Sequence, residues 1–303
     1  MAQPPEHFSM TPEQLAHMQN QQQANNNPLA QYMRQPSIFI KLPSNGNYWH
    51  QGSIDMPISG ELPVLPMSTK DEIMLNTPDA LLNGEAVVSM VNSCIPSITN
   101  PWSIPSVDLD TILIAIRIAS YGETMEYTST CPKCENQDNY EIDLRQFLDM
   151  PVDLSGYENS FDYKGISVFL RPLDYNSINM QNLESFEQQR LITMINDTNI
   201  PEQEKQRRFQ EIFKLLTEYT VKNVTGSILH LVTPEGVTVA DPDQIQQFVE
   251  NSERAFFKTV RDRLNEIKDS FPDKTVNTKC DSCQHEYATP FTFDQANFFE
   301  FAS

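Results

Sequence analysis

The sequence predicts an α+β protein: a β-rich base closed by two Cys-x-x-Cys hairpins, with a mainly helical insertion between them. Three observations predict it. The pairs Cys131-Pro-Lys-Cys134 and Cys280-Asp-Ser-Cys283 stand in similar settings, each followed by a polar loop and a run of β-forming residues. Short β-rich segments punctuated by Pro, Gly and Asn crowd the chain before residue 172. From Asp174 to Phe271 the apolar pattern is mainly helical. The implied organisation is an arm over 1–35, an α+β domain over 36–172 plus 272–303, and a helical insertion over 173–271.

The arm is Gln/Asn-rich. The run from Gln19 to Asn27 is of low complexity and cannot bury apolar surface, so residues 1–35 read as disordered. Such a segment is either a free tail or a tether anchored through Leu29, Tyr32 and Met33. Order is expected from Ser37. Ile38 to Leu42 is rich in β-formers and ends at Pro43. Ser44-Asn45-Gly46-Asn47 is a turn, because Asn and Gly tolerate positive φ. Leu62 to Met67 is extended, with prolines that suit a sheet edge.

Thr77-Pro78-Asp79 combines a capping hydroxyl, a first-turn Pro and an acid near the positive helix end, so a helix is expected from there toward Ser93. Cys94 at its apolar end reads as a buried, inert thiol. A second helix spans Ser106 to Tyr121. Leu109, Ile112, Leu113, Ile116 and Ala119 recur at helical spacing, Ile114 and Ile118 add another apolar face, and Gly122 stops it. Arg117 inside that helix requires a nearby acid or carbonyl oxygens, because buried charges need partners.

Glu126 to Asp143 reads as strand, knuckle, strand around the first cysteine pair, and Gly165 to Pro172 as a further strand. Pro201 with Glu202 and Glu204 opens a helix whose Phe209, Ile212, Phe213 and Leu216 form one stripe. Thr233 to Gly236 is a turn, Asp241-Pro242 caps the next helix, and Ser252 to Phe271 is another. Lys279 to Phe293 repeats the knuckle and strand.

The four cysteines match a structural zinc site. Zinc takes four thiolates in a tetrahedron, and a closed Cys₄ set leaves no open position for catalysis. Each Cys-x-x-Cys turn supplies two sulfurs and backbone N–H groups to receive them. The pairs are 145 residues apart in sequence, far more than in a compact zinc ribbon, yet their matching surroundings favour one shared ion held by Cys131, Cys134, Cys280 and Cys283. Redox pairs and unliganded thiols are the alternatives; a thioredoxin-like pair opens a helix after a strand, and neither pair does. Glu135 and Gln284 occupy the position after the second cysteine where many knuckles carry Gly. With four cysteines available, His285 stays outside the ligand set, and Lys133 and Lys279 would offset the site's formal −2 charge. A structural zinc supplies roughly 10 kcal/mol or more of apparent binding energy, comparable to the stability of a whole domain.

Composition narrows the function. The chain has 303 residues, 39% hydrophobic and 10% aromatic, enough for a packed core. Its net charge of −20, from 41 acids and 21 bases, opposes binding to phosphate backbones and anionic membranes. No apolar run reaches membrane-spanning length and no secretory leader is evident, which places the expected chain in a reducing compartment. There is no GxSxG, HExxH, P-loop or GxGxxG pattern. The histidines His7, His17, His50, His230 and His285 are scattered, and acid pairs such as Asp108/Asp110 and Asp71/Glu72 read as helix-start acids. No enzyme is expected.

Several segments together resemble the baseplate hub and hub-assembly group of T4-type contractile-tailed bacteriophages. They are Leu42-Pro-Ser-Asn-Gly-Asn-Tyr48, Leu65-Pro-Met-Ser-Thr-Lys-Asp-Glu72, the apolar helix with Arg117 and Tyr121-Gly122, Cys131-x-x-Cys134, and the ending Phe291-Thr-Phe293 with Asn297-Phe-Phe299. The likeness covers roughly 36–150 and 275–303. It implies a virus protein made in the host bacterial cytoplasm that acts in building the tail baseplate, either as a hub subunit of the virion or as a transient assembly chaperone outside it. Its partners would be other baseplate proteins, with no catalytic residues, small-molecule substrate, nucleic acid or membrane. Phe298, Phe299 and Phe301 are the expected partner contacts, with packing onto their own domain as the alternative. A zinc-ribbon nucleic-acid module is the competing class; Lys133, Lys274 and Lys279 are few against the acids around the knuckles.

Overall fold

A computed structural model describes residues 29, 32–77, 84–148, 150–196, 201–272, 274–291 and 299. The chain divides into a unit Met1–Gln35 and a unit Pro36–Ser303. The Gln/Asn run lies outside the described residues. Of the first unit, Leu29, Tyr32 and Met33 are exposed, and the Tyr32 N–H donates to the Leu29 carbonyl at 2.9 Å.

Among its described residues the second unit holds two hydrophobic cores. The first gathers β1 (Ile38–Ile40), β2 (Leu62–Val64), α1 (Thr69–Leu75), α2 (Glu85–Cys94) and α3 (Ser106–Tyr121). β1 and β2 pair antiparallel as a two-stranded sheet, so Pro63, opposite Phe39, sits in an edge strand where its missing N–H costs little. α3 has the expected bounds and is buried from Asp108 to Ile118 except at Asp110, because its apolar residues cover more than one face. The expected helix start at Thr77-Pro78-Asp79 falls largely outside the described residues; α2 runs from Glu85. Its Gly84 cap has φ 78, and a Cβ there would lie 2.9 Å from Asn179 Oδ1 and 3.0 Å from Trp102, so a side chain has neither the backbone geometry nor the room. Cys94 is fully buried in this core and forms no disulfide.

Two buried acids organise the approach to the core. Asp71 closes a capping box with Ser68 and also accepts from Ser93 Oγ at 2.8 Å. Asp108, in the first turn of α3, accepts from the Ser44 N–H at 2.8 Å, from Ser44 Oγ and from Trp49 Nε1 at 2.8 Å. Those bonds anchor the turn around Asn45 (φ 52) and Gly46 (φ 83). Burial, opposed by the three bonds, raises the Asp108 pKa above its ordinary value. Asp71 thus serves a helix start, whereas Asp108, though in the first turn of α3, is engaged by the 44–47 turn and Trp49. The Arg117 guanidinium lies 4.5 Å over the Tyr121 ring, one turn on, and burial lowers its pKa.

β3 (Thr124–Thr130) with β4 (Gln137–Asp143) and β9 (Thr275–Lys279) with β10 (Glu286–Pro290) form two separate antiparallel hairpins. A short helix α4 (Arg145–Leu148) follows the first. The second core is built on the antiparallel sheet β5-β6-β7-β8: Phe161–Tyr163, Ile166–Leu170, Ile228–Val232 and Thr238–Val239. Packed with it are α5 (Ser155–Glu158), the end of α7 (Glu202–Gly226), α8 (Pro242–Glu250) and α9 (Arg254–Asp269). The segment 173–271 is thus not helical throughout. It donates β7 and β8 to a sheet begun by β5 and β6, because Leu231 and Ile228 complete the apolar face that Val168 and Leu170 start. α6 (Tyr175–Asn196) and α7 make an antiparallel pair of long helices; Ile212 and Leu216 are half-buried, whereas Phe209 and Phe213 stay exposed and stack on each other. Where the cores meet, Asp174 caps α6 through the Ser177 N–H at 2.8 Å and lies 3.3 Å from His50 Nε2, which Arg171 Nη2 approaches at 3.1 Å.

Candidate metal centre

The two hairpins stand face to face without sharing a sheet. At their bases, Ile142 and Val276 are buried in the first core, Phe147 and Phe291 stack at 4.9 Å, and Lys274 pairs with Asp110 of α3. Higher up, hydroxyls join them. Tyr127 bonds Thr278, Ser129 Oγ lies 2.9 Å from Thr289 Oγ1, and Tyr287 donates to Ser129 at 3.2 Å. These polar contacts carry no motif and were invisible in the sequence beyond the period-2 placement of Ser, Thr and Tyr.

At the tips the two knuckles repeat one hydrogen-bond pattern. The Cys131 N–H donates to the Asn136 carbonyl at 2.8 Å and the Glu135 N–H to the Cys131 carbonyl at 2.9 Å. The Cys280 N–H donates to the His285 carbonyl at 2.9 Å and the Gln284 N–H to the Cys280 carbonyl at 2.8 Å. Glu135 and Gln284 take φ of 58 and 57, so both positions adopt the left-handed turn that Gly would fill more easily. Side chains other than Gly can occupy it, which explains why the knuckles form without one.

The four sulfurs come together. The ligand atoms of Cys131, Cys134, Cys280 and Cys283 all lie within 4.8 Å of one another and could hold a metal ion. Across the hairpins, Cys131 Sγ is 3.7 Å from Cys283 Sγ and Cys134 Sγ is 3.6 Å from Cys280 Sγ. A disulfide needs about 2.05 Å. A tetrahedron of thiolates at about 2.3 Å from a central ion has edges of about 3.8 Å, which the cross-hairpin distances approach. The thiol protons also behave as a set. Burial pushes Cys131 up, but the Lys133 and Cys134 N–H groups and the neighbouring thiols bring it down to about 7. For Cys134, the Asn136 N–H favours the thiolate, but the Cys283 thiol, burial, Cys280 and Cys131 push it up to about 12. The Cys131 thiolate is thus favoured and that of Cys134 is not, and a bound cation would offset charge crowded this closely. Lys133 helps through its backbone N–H. Among the described residues no other cluster of this kind was found.

The aromatic ending is placed differently. Phe299 is buried in the first core, and Phe298 and Phe301 lie outside the described residues. Among the described residues no helix is long and apolar enough to cross a membrane.

Fold and site together define a mixed α+β protein with remote hairpins brought to a common four-cysteine cluster. Its residues 37–300 match the family described as T4 bacteriophage base plate protein, and the chain belongs to that family. No curated protein and no solved structure matched it.

Proposed function

We propose that this chain is a component of the phage baseplate hub, or a factor that assembles it, acting through protein–protein contact and without catalysis, with zinc as the ion of its cysteine cluster. The observation that carries the reading is the family match over 37–300, which spans both cores and both cysteine pairs. The closed set of four cysteines supports a structural ion, and the −20 charge argues against a phosphate-backbone partner. The chain would be made in the host cytoplasm, meet other baseplate proteins there, and end in the tail baseplate.

Quantitative mass spectrometry of purified virions, with co-purification from infected cells, tests this. Peptides at a fixed ratio to other baseplate proteins identify a permanent subunit. Absence from virions with recovery in hub intermediates identifies a transient assembly factor. Absence from both, or retention on DNA at moderate salt, overturns the reading.

A further inference from the structure

The cysteine cluster has an inner and an outer side. The first cysteine of each pair, Cys131 and Cys280, is fully buried, whereas Cys134 is exposed and Cys283 half-buried. Each inner sulfur faces the outer sulfur of the opposite knuckle. The rim formed by Cys134 and Cys283 is therefore the side from which solvent reaches the centre. Below it, apolar burial stops early. Ile142, Val276 and Phe291 belong to the first core, but among the described residues neither core draws on 128–141 or 277–290. Among the described residues the tips are joined by the Ser129, Thr289, Tyr287, Tyr127 and Thr278 hydroxyls, by Tyr140, whose hydroxyl interacts with Tyr287 and the Asp281 backbone, and by the sulfurs. Hydroxyl contacts exchange readily against water and order a tip weakly. A cation held by all four sulfurs would supply the strong cross-link that these hydroxyls do not. A sulfur-only set takes thiophilic ions such as zinc or cadmium and discriminates against magnesium and calcium.

We infer that this site loads one thiophilic divalent cation per chain from solvent past Cys134 and Cys283, and that its occupancy orders the two hairpin tips while both cores fold without it. This rests on the reading of the cluster as a zinc site, and deepens it by assigning what the ion controls. Loss of the ion loosens 129–137 and 278–287, the bases near Ile142 and Val276 stay seated, and α3, α8 and α9 are unaffected.

Hydrogen exchange with mass spectrometry on the full chain tests this, comparing zinc-loaded protein with protein stripped by chelator under reducing conditions. The expected result is a loss of amide protection of at least about tenfold, confined to the two tips. Zinc or cadmium restores it, and magnesium does not. Brief alkylation of the zinc-loaded chain should label Cys134 and Cys283 before Cys131 and Cys280, and stripping the zinc should speed the labelling of all four. A chain that takes up no zinc overturns this inference together with the zinc reading. One zinc per chain with an unchanged exchange pattern, or with protection lost throughout α3, overturns the inference alone. Equal labelling of all four cysteines in the zinc-loaded chain overturns the entry route.

Discussion

Helix α3 and the cysteine hairpins adjoin each other and are held in opposite ways. α3 is surrounded by Ile, Leu and Val from elements on every side, so its position is the sum of many weak apolar contacts. The hairpin tips bury almost no apolar side chain; they meet through hydroxyls and at four sulfurs gathered at one point, where the proposed ion would hold them. Burial distributes stability, so its loss at one residue is felt throughout the first core. A ligand cluster concentrates stability, so its loss is felt locally. The lesson is that two neighbouring regions of one chain can fail independently.

Substitutions separate the two regimes. Ile114 is fully buried in α3. Ile114→Ala should cost about 2–5 kcal/mol of global stability in urea unfolding while leaving zinc uptake by the surviving folded protein unchanged. A cost below about 1 kcal/mol would show that α3 is not the centre of that core. A smaller effect is expected at Asp108, whose folded-state pKa burial raises above its ordinary 3.8. Its carboxyl then takes up a proton more readily folded than unfolded. Lowering the pH from neutral toward that ordinary value therefore favours the folded wild type, and the gain is lost again as the pH rises through the raised pKa. Asp108→Asn lacks that proton, so the stability gap between the two chains should move in favour of wild type as the pH falls, and level off below 3.8. A pH-independent gap refutes the burial effect. The smallest effect is expected at the knuckles. Relieving positive φ at Glu135 or Gln284 with Gly gains about 1–2 kcal/mol, offset by about 0.5–1 kcal/mol of extra chain entropy. Glu135→Gly and Gln284→Gly should each tighten zinc binding by up to about tenfold in chelator competition. Weaker binding would show that these side chains contribute to the tips in some other way.

The sequence made the cysteine pairs legible because ligand chemistry resides in residue type at a local spacing, whatever separates the pairs. α3 was legible to its bounds for a similar reason: its periodicity and its Gly122 stop are local. The turn at 44–47 was readable from Asn and Gly, but its anchor, Asp108, is 64 positions away and looked like any helix-start acid. The β5-β6-β7-β8 sheet was not legible as one unit. Its middle strands are short and separated by α6 and α7, so nothing near Val168 indicates that Leu231 will pair with it. The stripe on α7 showed where apolar residues recur, but not that Phe209 and Phe213 would face outward, since spacing fixes a face and not what covers it. Phe299 shows the converse: an aromatic near the chain end, open to reading as a contact for others, fills its own core.

The placement of Cys131 and Cys283 within one cluster has a consequence for a cut chain. A protease that severs the backbone between α6 and α7 divides the sequence into two pieces, one carrying each cysteine pair. With an ion seated, the pieces stay clasped at the knuckles as well as through their shared cores. Such a nicked protein should migrate as a single particle under native conditions and come apart only when denaturant and chelator act together.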